Sequence, residues 1–112
     1  MGTIFYINED TLTVMLSGEI DHHVAEKIRN DIDDEIRFYK AHNLIFDFSD
    51  VAFMDSSGVG MVLGRYKKIN ASGGTVLIRN CNRLIRQILD MSGVFSLMEY
   101  EENVKQGGSN GK

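Results

Sequence analysis

The run Asp55-Ser56-Ser57-Gly58 places a carboxylate, two hydroxyls and a glycine where an apolar segment gives way to a helical pattern. Residues of these types at such a joint suit three kinds of chemistry. Backbone N–H groups can cradle a phosphate, a hydroxyl can act as a nucleophile, or a serine can itself accept a phosphate. The nucleophile reading needs a base, and His22 or His23, adjacent at the start of an earlier helical pattern, are the candidates.

Spacing weighs against the first two. Gly58, Gly60 and Gly64 form G-x-G-x-x-x-G, one residue longer than the dinucleotide fingerprint. Arg79 ends the next strand, where a ribose-binding carboxylate would be needed, and Gly64 is followed by Arg65 and Tyr66 instead of the P-loop lysine. The G-x-S-x-G elbow of hydrolases is absent, and no third triad member is evident. A plainer reading also stands: Asp and Ser before a helix are ordinary caps, and glycines within it permit close packing.

The totals narrow the class. A chain of 112 residues, 43% apolar and 25% charged, suits one ordinary globular domain. Its net charge of −4 argues against nucleic-acid binding. The one cysteine, Cys81, excludes an internal disulfide or a thiolate metal cluster and suits a reducing cytoplasm. Neither a membrane-spanning run nor a signal-peptide pattern is expected.

The elements that position the joint follow from periodicity. Segments 3–7 and 11–17 flank "NED" and predict a hairpin, with Leu12, Val14 and Leu16 on one face. "GEID" ends that pattern, and Asp21 is placed to cap a helix over 22–40. Its apolar side holds Val24, Ala25, Ile28, Ile32, Ile36 and Tyr39, with Asp33 and Asp34 opposite. Residues 43–49 read as a buried central strand, 56–71 as a helix, 75–79 as a strand and 82–91 as a helix with Leu84, Ile85, Ile88 and Met91 inward. Residues 94–100 complete the order ββαβαβαβ as a last strand or extended segment.

This order predicts an α/β domain with a mixed sheet. Right-handed crossovers make the strands near 11, 43 and 75 parallel, so their C-terminal loops share one edge, the usual ligand edge of open α/β sheets. The joint helix presents Val59, Val62, Leu63, Tyr66 and Ile69 inward. Met61, Gly64, Arg65 and Lys68 point the other way, which suggests a partner surface.

The segments "GEIDHHVAE", "DFSDVAFMDSSGVGMVLGRYKKI" and "LIRQILDMSGVF" closely resemble the anti-sigma factor antagonists of the STAS domain family. The resemblance spans about Thr3 to Tyr100, and "DHH" and "DMSG" favour the sporulation members over the general-stress ones. It implies one STAS-like domain over residues 1–100, with an N-terminal hairpin and helices mainly on one face. Residues 101–112 would form a polar, disordered tail, too short for the further helix that family members often carry.

It also implies partner switching without catalysis by this chain. The unphosphorylated form would bind an anti-sigma factor that is itself a serine kinase holding ATP or ADP, and so release the sporulation sigma factor. Phosphorylation of Ser56 by that kinase would end binding, and a serine phosphatase would restore it. By motif position Asp21, His22, His23, Asp55, Ser57, Gly58, Met61 and Arg65 are the candidate partner contacts. No cofactor, metal, nucleic acid or membrane partner is expected, and the cytoplasm is the expected location. The alternative is a small nucleotide-binding or nucleotide-hydrolysing protein that uses the same sheet edge.

Overall fold

The structure, a computed structural model, describes residues 3–102. Strands β1 (Ile4–Asn8) and β2 (Thr11–Ile20) form the hairpin, and helix α1 (His22–Tyr39) follows. Then come β3 (Asn43–Met54), α2 (Ser56–Ala71), β4 (Val76–Arg79), α3 (Arg83–Met91), a 3-10 turn (Val94–Ser96) and β5 (Glu99–Glu101). The strands lie side by side in the order β1-β2-β3-β4-β5. The first pair is antiparallel and the rest are parallel, as crossover connections require.

Alternation decides which face is covered. Leu12, Val14 and Leu16 of β2, Leu44, Phe46 and Phe48 of β3, and Val76 and Ile78 of β4 are all buried. The register sets Leu12, Leu44 and Val76 in one row and Val14, Phe46 and Ile78 in the next, so these side chains share one face. Ala25, Ile28 and Ile32 of α1, Val59, Val62 and Ile69 of α2, and Ile85 and Leu89 of α3 join them in a single core. On the opposite face Thr13, Met15, Ile45 and Leu77 are only half-buried. The helices therefore lie mainly on one face.

Several boundaries differ from the sequence reading. Strand β2 continues through Gly18, whose positive φ of 81° absorbs a register shift against β3. Strand β3 extends to Met54, so "DVAFM" is strand instead of loop. In α3 the inward residues are Ile85 and Leu89, with Ile88 half-buried against the core, while Leu84 is 44% and Met91 87% exposed. Residues 94–100 are not one strand, since a 3-10 turn precedes the short β5. Glu101, assigned to the tail from sequence, pairs with Arg79 in that strand, and Glu102 binds the Arg86 guanidinium at 2.7 Å. The remainder of the expected tail, 103–112, lies outside the described residues.

One glycine is demanded by packing. A Cβ on Gly74, between α2 and β4, would land on the His42 carbonyl oxygen and 2.9 Å from Ile69 Cγ2. Backbone cannot rotate away as a side chain can, so Gly74→Ala must displace the start of β3. A loss of about 1–3 kcal/mol in urea unfolding is expected. Wild-type stability in that variant would show that the connection yields freely.

Candidate functional site

The parallel strands deliver three helix N-termini to one edge, and each is capped by the residue before it. Asp21 Oδ1 accepts the Val24 N–H at 3.0 Å, Asp55 Oδ1 the Ser57 N–H at 2.8 Å, and Asn82 Oδ1 the Ile85 N–H at 2.8 Å. The first two caps are locked together. Ile20 pairs with Met54, and the Asp55 N–H donates to the Ile20 carbonyl at 3.1 Å. Two carboxylates thus stand at the edge, and both have the capping role that the plainer reading assigns.

The serine pair divides here. Ser56, the first residue of α2, is exposed. Ser57 is half-buried, with its Oγ 3.3 Å from His22 Nδ1. Gly58 is buried against β3, where an added Cβ would come within 2.8 Å of Met54 Sδ and 3.2 Å of its Cβ. That close approach seats the first turn of α2 on the end of β3 and leaves Ser56 facing solvent. His23 is exposed beside His22, their rings edge-on at 5.9 Å.

The contact between His22 and Ser57 is half of a hydrolase arrangement, and the other half is missing. Among the described residues no carboxylate binds the second nitrogen of His22, since Asp21 is committed to the α1 cap. Cys81 offers no alternative nucleophile, because burial pushes its thiol up to about 12. The glycines do not form a phosphate loop either. Helix α2 begins at Ser56, so Gly58, Gly60 and Gly64 all lie inside it. Among the described residues, no group of three His, Cys, Asp or Glu side chains is placed to hold a metal, and no helix is long and apolar enough to cross a membrane.

Two residues expected on an outer face of α2 are buried: Met61 is 4% and Arg65 7% exposed. The cause is α1, which packs beside α2 and gives that helix a second covered side. Arg65 Nε stands 2.9 Å from Asp33 Oδ1 in an ion pair that lacks hydrogen-bond alignment. Asp33, expected on the polar side of α1, therefore faces α2 instead, and Lys68 shares it at 3.9 Å. Asp33 Oδ1 and the Nε and Nη1 atoms of Arg65 are buried without hydrogen-bond partners. Burial pushes the Arg65 guanidinium down from its ordinary value; Asp33 works against this and Arg29 adds to it.

Between α1 and α2 runs an open groove of about 370 Å³. His22 and Ser57 line it together with Arg29 and Arg65, and Gly60 and Gly64 contribute to its wall. Sequence reasoning missed Arg29 and Gly60 as site residues. The available signal was two glycines one turn apart inside a helix, where each costs roughly 0.5–1 kcal/mol relative to alanine.

This fold and edge define a class. The STAS domain model matches residues 4–107, and the chain belongs to the STAS domain family. Among its relatives, an anti-sigma F factor antagonist of Paenibacillus polymyxa is 40% identical over 92 residues, covering 82% of this chain and 79% of the relative. The solved structure of the anti-sigma factor antagonist SpoIIAA in its unphosphorylated form superimposes with a TM-score of 0.72 at 31% identity, over 89% of this chain and 88% of that one. The phosphorylated form of SpoIIAA, a Bacillus cell fate determinant, gives 0.73 at 32% identity, over 91% and 93%.

Proposed function

We propose that this chain is an anti-sigma factor antagonist switched by phosphorylation of Ser56. In the unphosphorylated state it docks its sheet edge on an anti-sigma serine kinase and so frees the sporulation sigma factor which that kinase restrains. The kinase, holding ATP, transfers a phosphoryl group to the Ser56 hydroxyl; the released chain is reset by a serine phosphatase. The chain itself performs no catalysis and works in the cytoplasm. Asp21, His22, His23, Asp55, Ser57 and Gly58 shape the docking edge, with Met61 and Arg65 contributing from the side of α2.

The observation that carries this reading is the contrast within the serine pair. Ser56 stands exposed at the first position of α2, whereas Ser57 is half-buried against His22. A kinase must bring the acceptor oxygen to within about 3–3.5 Å of the reacting phosphorus. Ser56 offers that approach from solvent without disturbing the helix cap. A phosphate at this position is tolerated by the fold, since the helix dipole favours it by about 0.3–1 kcal/mol.

Its effect on docking is opposite. The modification adds about −1.5 to −2 charges beside the Asp21 and Asp55 carboxylates. The loop must meet the kinase's own nucleotide phosphates to be a substrate, so the product sets like charges against each other. Titration of this chain, before and after phosphorylation, into the anti-sigma factor bound to its sigma factor tests the reading. Release of sigma factor by the unmodified form alone is expected; equal release by both forms would reject the switch.

A further inference from the structure

The two edges of the sheet are built differently. Strand β5 is three residues long and carries Glu99 and Glu101, both exposed, so its edge is short and charged. Strand β1 has the ordinary length of five residues, and its outer side pairs with no strand among the described residues. Its sequence, IFYIN, holds no charge and no proline, and its register against β2 has no bulge. Nine large apolar side chains are exposed among the described residues, and three of them, Ile4, Tyr6 and Ile7, belong to this one strand. The open backbone groups of such a strand form a template for a further strand.

Charge and register select the occupant. The chain carries a net charge of −4, so two copies repel over much of their surface. Residues 3–8 and 11–17, the paired part of the hairpin, contain no charged side chain, so a second hairpin meets no like charge there. Strand β1 is also complementary to itself. Antiparallel pairing about Tyr6 sets Tyr6 opposite the second copy's Tyr6, Phe5 opposite Ile7 and Ile4 opposite Asn8. The Phe5 pairs then extend the helix-covered face, since Phe5 stands beside buried Val14. The Tyr6 pair extends the uncovered face, where Met15, Ile45 and Leu77 are half-buried. Glu9, the first acidic residue, falls opposite Thr3 and not opposite another acid.

We propose that β1 is a self-association edge, through which two copies join antiparallel about a two-fold axis at Tyr6 into one continuous sheet. A strand of this length spans about 17 Å and a sheet is about 10 Å thick, so the contact falls short of the roughly 1,000 Å² of a stable interface. The pairing is therefore weak and reversible. It also leaves the helix-capping edge free. Strand β1 reaches only Met15 of β2, and Ile20, which joins the two caps, lies five residues further, about 17 Å along the strand.

Sedimentation equilibrium of the full chain between about 10 μM and about 1 mM tests this. The average mass of wild type should rise from 12.6 kDa towards twice that value. Tyr6→Lys and Tyr6→Glu each set like charges opposite one another at the axis, and each should weaken association by about tenfold or more. An equimolar mixture of the two variants should restore it, because lysine then faces glutamate. Tyr6 is exposed, so both variants should keep the circular dichroism of wild type. In wild type alone, the β1 amides should exchange with solvent more slowly at the higher concentration. A wild type that stays at 12.6 kDa throughout would overturn the proposal, and slow β1 exchange in that monomer would assign the edge to residues 103–112 of the same chain. Either variant alone associating as strongly as wild type would also overturn it, since the contact would then lie elsewhere.

Discussion

Ser56→Asp is expected to lose about a thousandfold in affinity for the anti-sigma factor, whereas Ser56→Ala binds like the unmodified chain and can no longer be switched off. The hydroxyl of Ser56 is neutral, exposed and placed at the first position of α2, next to the capping carboxylate of Asp55. A permanent charge there confronts the phosphates of the partner's nucleotide. Like-charge contacts of this kind cost several kcal/mol, and about 4 kcal/mol corresponds to the thousandfold loss. The fold itself should be unaffected, because an acidic group at a helix N-terminus is favoured. Matched circular dichroism with lost binding separates the switch from misfolding. Wild-type affinity in Ser56→Asp would contradict the electrostatic explanation directly.

The second large effect concerns stability. Asp47 is 1% exposed, on the face of the sheet away from α1 and α2. Its Oδ1 accepts the Ser49 N–H at 2.9 Å and the Ser49 hydroxyl at 2.7 Å; its Oδ2 accepts Arg79 Nε at 3.0 Å and Asn80 Nδ2 at 3.2 Å. Burial alone would raise the Asp47 carboxyl, but the Ser49 and Arg79 bonds outweigh it and hold the group below its ordinary value of 3.8. A folded-state value below the unfolded one means that Asp47 stabilises the fold above the unfolded value. The contribution disappears as pH falls through the folded value.

Asp47→Asn leaves Arg79 facing an uncharged amide across the β3–β4 pair. At pH 7 a loss of about 3 kcal/mol in urea unfolding is expected, at the lower end for one broken member of a buried ion pair. The gap between wild type and variant should narrow on acidification below about pH 3.8. Equal stability at pH 7, or a gap that widens in acid, would show that the pair does not hold the strands together.

These two residues also show what the sequence made legible. The alternation of Leu12, Val14 and Leu16 and the caps at Asp21 and Asp55 were readable because each depends on local spacing. Strand β3 was read too short because Ser49 and Asp50 look like the end of an apolar run, while Asp47 was read as an interruption inside it. Asp47 is tolerated within the strand only because Arg79 and Asn80, more than thirty positions away, reach it. A single sequence does not display that pairing.

The same limit explains Met61 and Arg65. Helical periodicity separated two sides of α2 correctly but could not say that α1 covers the second one. Asp33 was placed on the wrong side of its helix for the matching reason, since its partner Arg65 lies on another element. In α3 the exchange of Met91 for Leu89 as the inward residue reflects a helix of only nine residues, too short for periodicity to fix its face. Motif position pointed to Ser56 over Ser57, and the difference in exposure between the two is a feature that spacing does not display.

The proposed switch rests on one exposed serine at the start of α2, Ser56, as the phosphate acceptor. It is tested most directly by intact and peptide mass spectrometry after incubation with ATP and the cognate anti-sigma kinase, with Ser56→Ala and Ser57→Ala run alongside. One phosphate is expected on wild type and on Ser57→Ala, mapped to Ser56, and none on Ser56→Ala. Phosphate mapped to Ser57, or wild type left unmodified, would contradict it.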